Sequence, residues 1–357
     1  MRSVNILGIE SSCDETSVAI VRDGVQIVAQ EIASQIALHH RFGGVVPEIA
    51  ARKSMETIIP ILEQVMLESG MDFDDIEAIA VTIGPGLIGS LLVGVSVAKA
   101  LCYVKHKPLI PINHIEGHIK AIFLTYPHLE FPFIALVVSG GHTSLFAVYG
   151  HTDYEFLGGT RDDAAGEAFD KVAKILQLGY PGGPVIDHLA KAANPAAVQF
   201  PRAYLEKDSF DFSFSGLKTA VLQYVRSQTK ALARLEAGSS AEIFPKEVPP
   251  EIADIAASFQ EAVVDILVAK AISACRYKQM EQLVVVGGVA SNSRLRSKME
   301  QGAQKLNVRV YYPPPLLCTD NAAMIASAGY FRKLAGNFLE GKEIFPLNPM
   351  SNLPLGG

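Results

Sequence analysis

The chain has 357 residues, enough for two domains or one large two-lobed unit. Hydrophobic residues make up 49% of the sequence, so sizeable cores can form. The formal net charge of -6 at pH 7 excludes a general electrostatic binder of nucleic acid. Any contact with nucleic acid therefore needs a local basic patch or a partner protein.

The cysteines and the apolar segments predict a soluble cytoplasmic protein without a membrane partner. The four cysteines form no metal-type CxxC pair, which is typical of reduced thiols in the cytoplasm. The short apolar start is followed by Glu10 and Asp14, so no signal peptide is predicted. The longest apolar stretch, Leu87 to Leu101, is too short for a membrane span.

The first third of the chain predicts a β-meander followed by a strand–helix–strand unit. The predicted strands are Val4 to Ile9, Ser17 to Val21, Val25 to Ala29, Glu77 to Thr82 and Leu109 to Ile112. Asp23-Gly24 is typical of a tight hairpin turn. A polar loop, Glu10 to Thr16, separates the first two strands, and a helix is predicted over Ile88 to Leu101. The last strand leads to His114.

The same series returns later in the chain. The repeated elements are a strand at Phe133 to Val138, a small polar loop at Ser139 to Thr143, strands at Ser144 to Tyr149, Gln282 to Val286 and Val308 to Tyr312, and a helix at Asn292 to Leu306. The last strand of this half leads to Asp320. Two ordered copies predict two duplicated α/β halves that face each other across a ligand cleft, because ligands bind beyond the carboxyl ends of strands in open α/β sheets.

The remaining segments are predicted from composition. Asp162 to Ala193 is expected to be helical with a break at Gly179 to Pro184. Gln228 to Pro250 is a charged excursion expected to be an exposed helical insertion or loop, and an irregular tail is expected after Lys342.

His114 and His118 are candidates for metal ligands. Residues four apart fall on one face of a helix, and neutral imidazoles suit a transition metal that a distant carboxylate, Asp320, completes. Asn113 is expected to cap this helix, with Glu116 closing a capping box. The zinc-peptidase pattern needs a Glu directly after the first His, and it is absent. The alternatives are two packed or solvated histidines and, for Asp320, a plain helix N-cap.

Two glycine-containing loops are candidates for binding an anion. Val137 and Val138 run into Ser139-Gly140-Gly141, whose backbone amides can cradle a phosphate or carboxylate, although a simple hairpin fits equally well. Gly287-Gly288 before Asn292 is typical of a strand–Gly–helix unit for a nucleotide. No GxGxxG or Walker A spacing is present.

Acidic and aromatic segments give weaker signals. Asp170 and Asp187 flank the Tyr180 to Pro184 turn and can reach ligand hydroxyls, or they are solvated helix residues. Phe210 to Thr219 alternates aromatic and small polar residues, which predicts either a strand or a surface for base stacking beside Lys218.

At this point the chain resembles a known family, the universal tRNA N6-threonylcarbamoyladenosine transferases in their bacterial form. The resemblance spans nearly the whole chain, on Gly8 to Thr16, Gly43 to Glu48, Gly84-Pro85-Gly86, His114 to His118, Ser139 to Thr143, Tyr180 to Pro184, Phe214 to Thr219 and Cys318 to Asn321. It implies the two-lobed actin/Hsp70/sugar-kinase (ASKHA) fold. The expected division is residues 1–112 with a C-terminal helix near 322–340 as one lobe, and residues 113–321 with a helical insertion near 160–255 as the other.

The resemblance also implies an activity. The expected reaction transfers the threonylcarbamoyl group from threonylcarbamoyl-AMP to N6 of the adenosine beside the anticodon, in tRNAs reading codons that start with A. One divalent metal ion, iron or zinc, is expected on His114, His118 and Asp320. The acyl-adenylate is expected on Val137, Val138, Ser139, Gly140, Gly141, Asp170, Gly183, Asp187 and Asn292. The expected partners are tRNA, a shorter non-catalytic paralogue and a small ATPase.

Some points stay open at this stage. Asp14 and Glu15 are candidates for a general base by position alone. Ser54 stands where the family usually carries a His, which is a departure of this chain from the family pattern. A small-metabolite kinase on the same fold is the alternative function, and a metallopeptidase is disfavoured.

Overall fold

The computed structural model describes residues 3–204, 209–227 and 248–356, and it contains two five-stranded sheets. The first sheet has the order β3-β2-β1-β4-β5, with β1 Asn5–Glu10, β2 Glu15–Arg22, β3 Gln26–Ser34, β4 Ala78–Gly84 and β5 Leu109–Asn113. The second has the order β10-β9-β6-β7-β8, with β6 Phe133–Val138, β7 Thr143–Gly150, β8 Asp153–Gly159, β9 Gln282–Val286 and β10 Arg309–Tyr311.

The two sheets share one topology. In each, the first three strands form an antiparallel meander, and two parallel strands then join the edge of its first strand. The predicted duplication and α/β fold class are confirmed.

Eleven α-helices lie in the described ranges. They are α1 Ile36–His40, α2 Pro47–Ser69, α3 Ile88–Lys105, α4 His114–Lys120, α5 Ala165–Ile175, α6 Gly182–Ala190, α7 Ser215–Ser227, α8 Pro250–Lys278, α9 Ser293–Gln304, α10 Pro315–Cys318 and α11 Ala322–Leu334.

The helices cover both faces of both sheets. Alternate residues of β1 point to opposite faces, so Leu7 packs with α2 and α3 while Ile6 packs with α11. In the second sheet, Leu136 packs with the helices of the α5–α9 layer, whereas Ala135 packs with α4. The short helix α4 and the helix α11 therefore lie between the two sheets and contact each other.

Helix α3 is longer than the sequence pattern predicted. It runs for 18 residues because the apolar stretch continues to Lys105, and it ends at His106 in the left-handed conformation. By length and composition alone, this helix meets the requirement for a membrane span. It packs against β4 and α2, and only 33% of it is buried.

Two predicted segments lie in the middle of the chain, the aromatic alternation from Phe210 and the charged excursion at 228–250. Phe212 and Phe214 are fully buried in the core of the second lobe, so the aromatic alternation does not form a surface for base stacking. The excursion predicted for 228–250 lies outside the described residues except for 248–250, where α8 begins.

Gly8 is where the first sheet approaches the start of α11. A Cβ atom at this position would lie 2.4 Å from the carbonyl oxygen of Ala322. Because that neighbour is backbone, Gly8→Ala is expected to displace the start of α11 and to lower the free energy of unfolding by about 1–3 kcal/mol. Denaturant unfolding of the purified protein measures this.

Gly216→Ala is the matched control, because nothing lies within 4 Å of a Cβ atom built at Gly216 in α7. Its free energy of unfolding should stay within about 1 kcal/mol of the parent. Equal effects of the two substitutions would contradict the close approach at Gly8.

Candidate metal centre and ligand cleft

The contact between α4 and α11 brings distant residues together. Asn113 accepts hydrogen bonds from the backbone N–H groups of Ile115 (2.8 Å) and Glu116 (3.4 Å), so it caps α4 as predicted. A Cβ atom at Gly117 would lie 2.6 Å from Cδ1 of Ile325, which shows how closely the two helices approach. This packing places His114 and His118 beside the residue before the N-cap of α11, Asp320.

The three side chains converge on one point. Nε2 of His114 lies 3.5 Å and Nε2 of His118 lies 3.2 Å from Oδ1 of Asp320. One ligand atom of each residue lies within 4.8 Å of the others, a spacing that a single ion could bridge. Asp320 is not the helix cap, because Asn321 accepts the hydrogen bond from Met324 N at 3.0 Å. Its carboxylate is thus free to face the imidazoles.

His118 supports a site of this kind. Its side chain is fully buried, and neither ring nitrogen makes a well-directed hydrogen bond within the described part of the chain. Nε2 faces Asp320 at 3.2 Å, whereas Nδ1 has no partner in these residues, and an unsatisfied buried polar group costs about 1–3 kcal/mol. Two imidazoles and one carboxylate are a donor set that suits Fe(II) or Zn²⁺. The residues present therefore fit a transition metal.

His114 is held from behind by a buried carboxylate. Oε2 of Glu10 lies 3.1 Å from Nδ1 of His114 and accepts a hydrogen bond of 2.7 Å from the hydroxyl of Thr82. The hydroxyl of Ser12 also lies 3.1 Å from Nδ1. These contacts orient Nε2 of His114 towards Asp320.

The two nearby carboxylates, Asp320 and Glu10, favour a positive charge at this site. Burial alone would lower the pKa of His114, but Asp320 and Glu10 outweigh it and raise this pKa to about 9. Burial would raise the pKa of Asp320, yet His114 and His118 hold it well below its usual range. The neighbouring His142 is neutral at pH 7, because burial and these two histidines lower its pKa to about 4.

Glu116 does not form the predicted capping box. Its fully buried carboxylate pairs with Arg332 of α11 at 2.8 Å and accepts a hydrogen bond of 3.3 Å from the hydroxyl of Tyr154. The partners are distant in sequence, so the local spacing could not reveal them. This carboxylate is therefore unavailable as the base of a peptidase.

The loop after β6 forms an open wall of the cleft. The side chains of Val137 and Val138 are fully buried on opposite faces of the sheet, so only their backbone could reach a ligand. Ser139 lies at the end of the strand, and its hydroxyl accepts from His142 N at 3.2 Å. Nothing lies within 4 Å of a Cβ atom built at Gly140 or Gly141, which leaves their backbone open to a ligand.

Asp170 and Gly183 lie at the turn before α6. Oδ1 of Asp170 accepts a hydrogen bond of 2.7 Å from Gly182 N. Burial raises the pKa of Asp170 to about 6 despite this bond, with smaller contributions from Asp14 and Glu167. The space around Gly183 is open, with nothing within 4 Å of a Cβ atom built there.

Asp187 and Asn292 meet at the start of α9. Asp187 accepts hydrogen bonds from the backbone N–H (3.2 Å) and the hydroxyl (2.8 Å) of Ser293. The side chain of Asn292 caps α9 by accepting from Leu295 N at 2.9 Å, and it donates to Gln260 at 2.7 Å. Both side chains therefore hold this loop together.

Asp14 and Glu15 line the first lobe of the cleft. Asp14 is buried and accepts a long hydrogen bond of 3.5 Å from the hydroxyl of Tyr180, which belongs to the second lobe. Burial, Asp14 and Asp320 together raise the pKa of Glu15 well above its ordinary value. Tyr180 therefore joins the two lobes at the cleft.

Ser54 is fully buried in α2 and takes part in a hydroxyl network. It accepts from the hydroxyl of Thr16 at 2.9 Å and donates to Ala50 O at 3.0 Å. A histidine at this position would have to displace these contacts.

Glu10 was predicted only as part of a polar loop. Four further residues near the site were not predicted as site residues: Ser12, Thr82, His142 and Tyr180. Glu10 and Thr82 follow buried strand residues in neighbouring strands, and this placement at the carboxyl ends of β1 and β4 was the available signal.

Comparison with known proteins gives strong similarity to one family. The model of the tRNA N6-adenosine threonylcarbamoyltransferase family matches residues 26–327. A tRNA N6-adenosine threonylcarbamoyltransferase of Syntrophus aciditrophicus is 52% identical over 352 residues, which cover 98% of this chain and 97% of that one. The corresponding protein of Moorella thermoacetica is 50% identical over 353 residues, which cover 98% and 97%.

Solved structures support the two-lobed fold. Component A of the Acidaminococcus fermentans (R)-2-hydroxyglutaryl-CoA dehydratase has a TM-score of 0.53 and 17% identity, covering 93% of this chain and 99% of that one. Full-length HypF in its phosphate- and nucleotide-bound form has a TM-score of 0.61 and 14% identity, covering 95% and 47%. At these identities the likeness concerns the fold alone.

The raised pKa of Asp170 predicts a pH dependence of stability. A carboxylate that ionises less readily in the folded state costs stability as pH rises, from about 4 through the folded pKa of about 6. Asp170→Asn keeps an acceptor for Gly182 N and removes this cost. The variant should therefore gain about 1–3 kcal/mol on the parent between pH 4 and pH 7.5, as urea unfolding at each pH would measure.

Glu155→Gln is the control of opposite sign. The hydrogen bond from Lys278 lowers the pKa of Glu155, helped by one from Tyr149, so this carboxylate stabilises the fold above its ordinary pKa. The variant should be less stable than the parent at pH 7 and should converge with it at low pH. A difference for Asp170→Asn that does not change with pH would contradict the prediction.

Proposed function

We propose which residues form the reaction site of this chain, which belongs to the tRNA N6-adenosine threonylcarbamoyltransferase family. The enzyme transfers a threonylcarbamoyl group to N6 of adenosine in tRNA. The proposed donor is threonylcarbamoyl-AMP, and the proposed target is the adenosine beside the anticodon. The observation that carries the proposed site is the convergence of His114, His118 and Asp320 within 4.8 Å.

His114, His118 and Asp320 are proposed to hold one divalent ion, iron or zinc. Two observations support this assignment: Nδ1 of the buried His118 has no hydrogen-bond partner among the described residues, and two carboxylates lie near His114. When bound, such an ion supplies a Lewis acid that binds and polarises an oxygen of the acyl donor. The histidines and Asp320 hold it at the inner end of the cleft.

The acyl-adenylate is proposed to lie against the second lobe. The backbone amides of Gly140 and Gly141 can donate to its phosphate or carboxylate oxygens, because no side chain fills the space beside them. Gly183 leaves similar room at the start of α6, whose N-terminal end favours negative charge. Asp170, Asp187 and Asn292 shape this wall and are the proposed contacts for ligand hydroxyls.

The proposed chemical step is attack of the exocyclic N6 amine on the carbamoyl carbonyl carbon. The new C–N bond forms, the bond from that carbon to the phosphate oxygen breaks, and AMP leaves with its electron pair. The amine loses a proton, and Asp14 and Glu15 are the candidates to accept it. Since an adenine amine is a poor nucleophile, positioning and charge stabilisation supply most of the rate.

Neither alternative function has a feature in its favour. A peptidase would need a free carboxylate beside a ligand histidine, and the carboxylate of Glu116 is paired with Arg332. A small-metabolite kinase shares the fold, but the relatives from Moorella thermoacetica, Clostridium perfringens and Syntrophus aciditrophicus, each 50–52% identical, carry the transferase name.

Protein partners are proposed to help this acidic chain hold tRNA. Several basic side chains that could contact nucleic acid pair with acidic ones within the chain: Lys171 and Lys218 with Asp163, Arg202 with Asp265, and Arg294 with Glu261. The proposed partners are a shorter paralogue of the same fold and a small ATPase.

The exposed face of α2 and α3 is proposed to bind the shorter paralogue. Ala51 of α2 and Gly89 of α3 approach each other, which places the two helices side by side. Their outer surface carries large exposed apolar side chains, among them Met55 (60%), Leu92 (47%) and Tyr103 (66%). Apolar area of this kind marks a protein interface.

The metal assignment predicts the result of removing one ligand. His118→Ala should lower the bound metal from about one ion per chain to a small fraction, because three protein ligands form such a site. Transfer should fall by about a hundredfold or more. Metal analysis and nucleoside analysis of tRNA incubated with threonine, bicarbonate, ATP and the partner proteins measure both.

His128→Ala is the matched control, since His128 is exposed and is not one of the candidate ligands. It should keep the parent's metal content and transfer rate. Full transfer activity of His118→Ala without bound metal would contradict the proposed metal site. If the parent enzyme produces no modified adenosine in the tRNA, the proposed reaction is contradicted.

The partner surface gives a separate prediction. Leu92→Asp places a charge on the exposed apolar face and should weaken binding of the shorter paralogue at least tenfold, about 1.4 kcal/mol. Tyr277→Asp changes an exposed ring (70%) of the second lobe and should not. Calorimetric titration with the purified paralogue distinguishes them, and equal affinities of the two variants would place the interface elsewhere.

A further inference from the structure

The two candidate metal ligands on α4 have different surroundings. Nδ1 of His114 faces two groups, Oε2 of Glu10 and the hydroxyl of Ser12, both at 3.1 Å. Nδ1 of His118 has no hydrogen-bond partner among the described residues. Among the described residues, only His114 therefore has polar neighbours at Nδ1, the ring nitrogen that faces away from Asp320.

We propose that Glu10 is the positioning residue of the metal centre, holding His114 with Nδ1 protonated and Nε2 directed at the ion. This inference rests on the proposed metal site. A carboxylate that accepts the second N–H of a ligating histidine sets its tautomer, its orientation and its basicity.

The contacts of Glu10 determine which atom carries the proton. Glu10 is fully buried, and Oε1 accepts a hydrogen bond of 2.5 Å from Ser12 N. Oε2 accepts from the hydroxyl of Thr82 at 2.7 Å and has capacity for one more donor. An ionised carboxylate cannot donate, so a hydrogen bond between Oε2 and His114 requires the proton on Nδ1 of His114. The lone pair of Nε2 is then directed at the point shared with His118 and Asp320.

Position in the fold explains why Glu10 can do this. It is the last residue of β1, and it lies beside β4, which carries Thr82 in the parallel register. Its charge adds to that of Asp320, so the site presents two carboxylates to the cation and not one. Glu10 is fully buried and contacts His114 at Nδ1, not at the nitrogen that faces Asp320.

Glu10→Gln tests the inference because the neutral amide has the same shape. If its oxygen faces Ser12 N, its NH2 group faces Nδ1 of His114 and favours the wrong tautomer. If the amide flips, its NH2 group faces the N–H of Ser12. In either orientation one donor meets another donor, so the arrangement that ligates metal is disfavoured.

The measurement is zinc affinity of the purified chain, by competition with a chromophoric chelator. Glu10→Gln is expected to weaken zinc binding by about 10–100-fold. Ser12→Ala removes the other group near Nδ1 and is expected to change zinc affinity by less than about threefold, because it leaves the carboxylate in place. In the zinc-loaded parent, the Nδ1 proton of His114 should give a protected low-field NMR signal that Glu10→Gln shifts or removes.

The outcomes separate this inference from the metal proposal. If the parent binds no zinc and no iron, the metal centre fails and this inference falls with it. If the parent binds zinc and Glu10→Gln binds it equally well, Glu10 has no positioning role. A large loss with Ser12→Ala and none with Glu10→Gln would assign the role to Ser12.

Thermal unfolding of the metal-free chains distinguishes a specific loss of zinc affinity from a general loss of structure. Equal melting temperatures of parent and Glu10→Gln without metal, together with a smaller rise on adding zinc for the variant, would support the positioning role. A variant destabilised equally with and without zinc would show a role in folding only and would overturn the inference. Thr82→Val, which removes one donor to Glu10, should show an effect on zinc affinity between those of the two other variants.

Discussion

The packing of α4 against α11 is the contact on which the site depends. The two helices lie between the sheets and approach so closely at Gly117 that a Cβ atom there would lie 2.6 Å from Ile325. All seven residues of α4 are buried. Because His114 and His118 sit on one helix and Asp320 precedes the other, this single contact determines their separation.

Burying α4 is unusual because the helix carries four ionisable side chains. Most of them are compensated by partners within the chain: His114 by Glu10, Glu116 by Arg332, and Lys120 by His151 and several aromatic rings. Burial lowers the pKa of Lys120 to about 7 despite Glu116. His118 alone has a fully buried ring whose nitrogens lack well-directed hydrogen bonds in the described ranges. Nε2 of His118 lies 3.2 Å from Oδ1 of Asp320, so an ion held between these two atoms would satisfy this buried ring.

Local patterns predicted most of the fold, and they failed where a residue's partner is far away in sequence. Strand alternation located the two meanders, and Asn113 before His114 predicted the cap that the structure shows. Glu116 has the spacing of a capping box, yet Arg332, 216 residues away, takes its carboxylate. Phe212 and Phe214 alternate with polar residues, and only the tertiary packing reveals that they belong to the core. Glu10 was visible as a polar strand end, whereas its contact with His114, 104 residues away, was not.

The duplicated topology also exchanges two helices between the lobes. Helix α4 follows the last strand of the first sheet but packs on β6 and β9 of the second, and α11 follows the second half but packs on β1 and β2 of the first. The two lobes are thus joined by α4, which carries His114 and His118, and by α11, which begins just after Asp320. The candidate metal ligands therefore lie where the helices of the two halves pack together, and the hydroxyl of Tyr180 in the second half contacts Asp14 of the first at 3.5 Å.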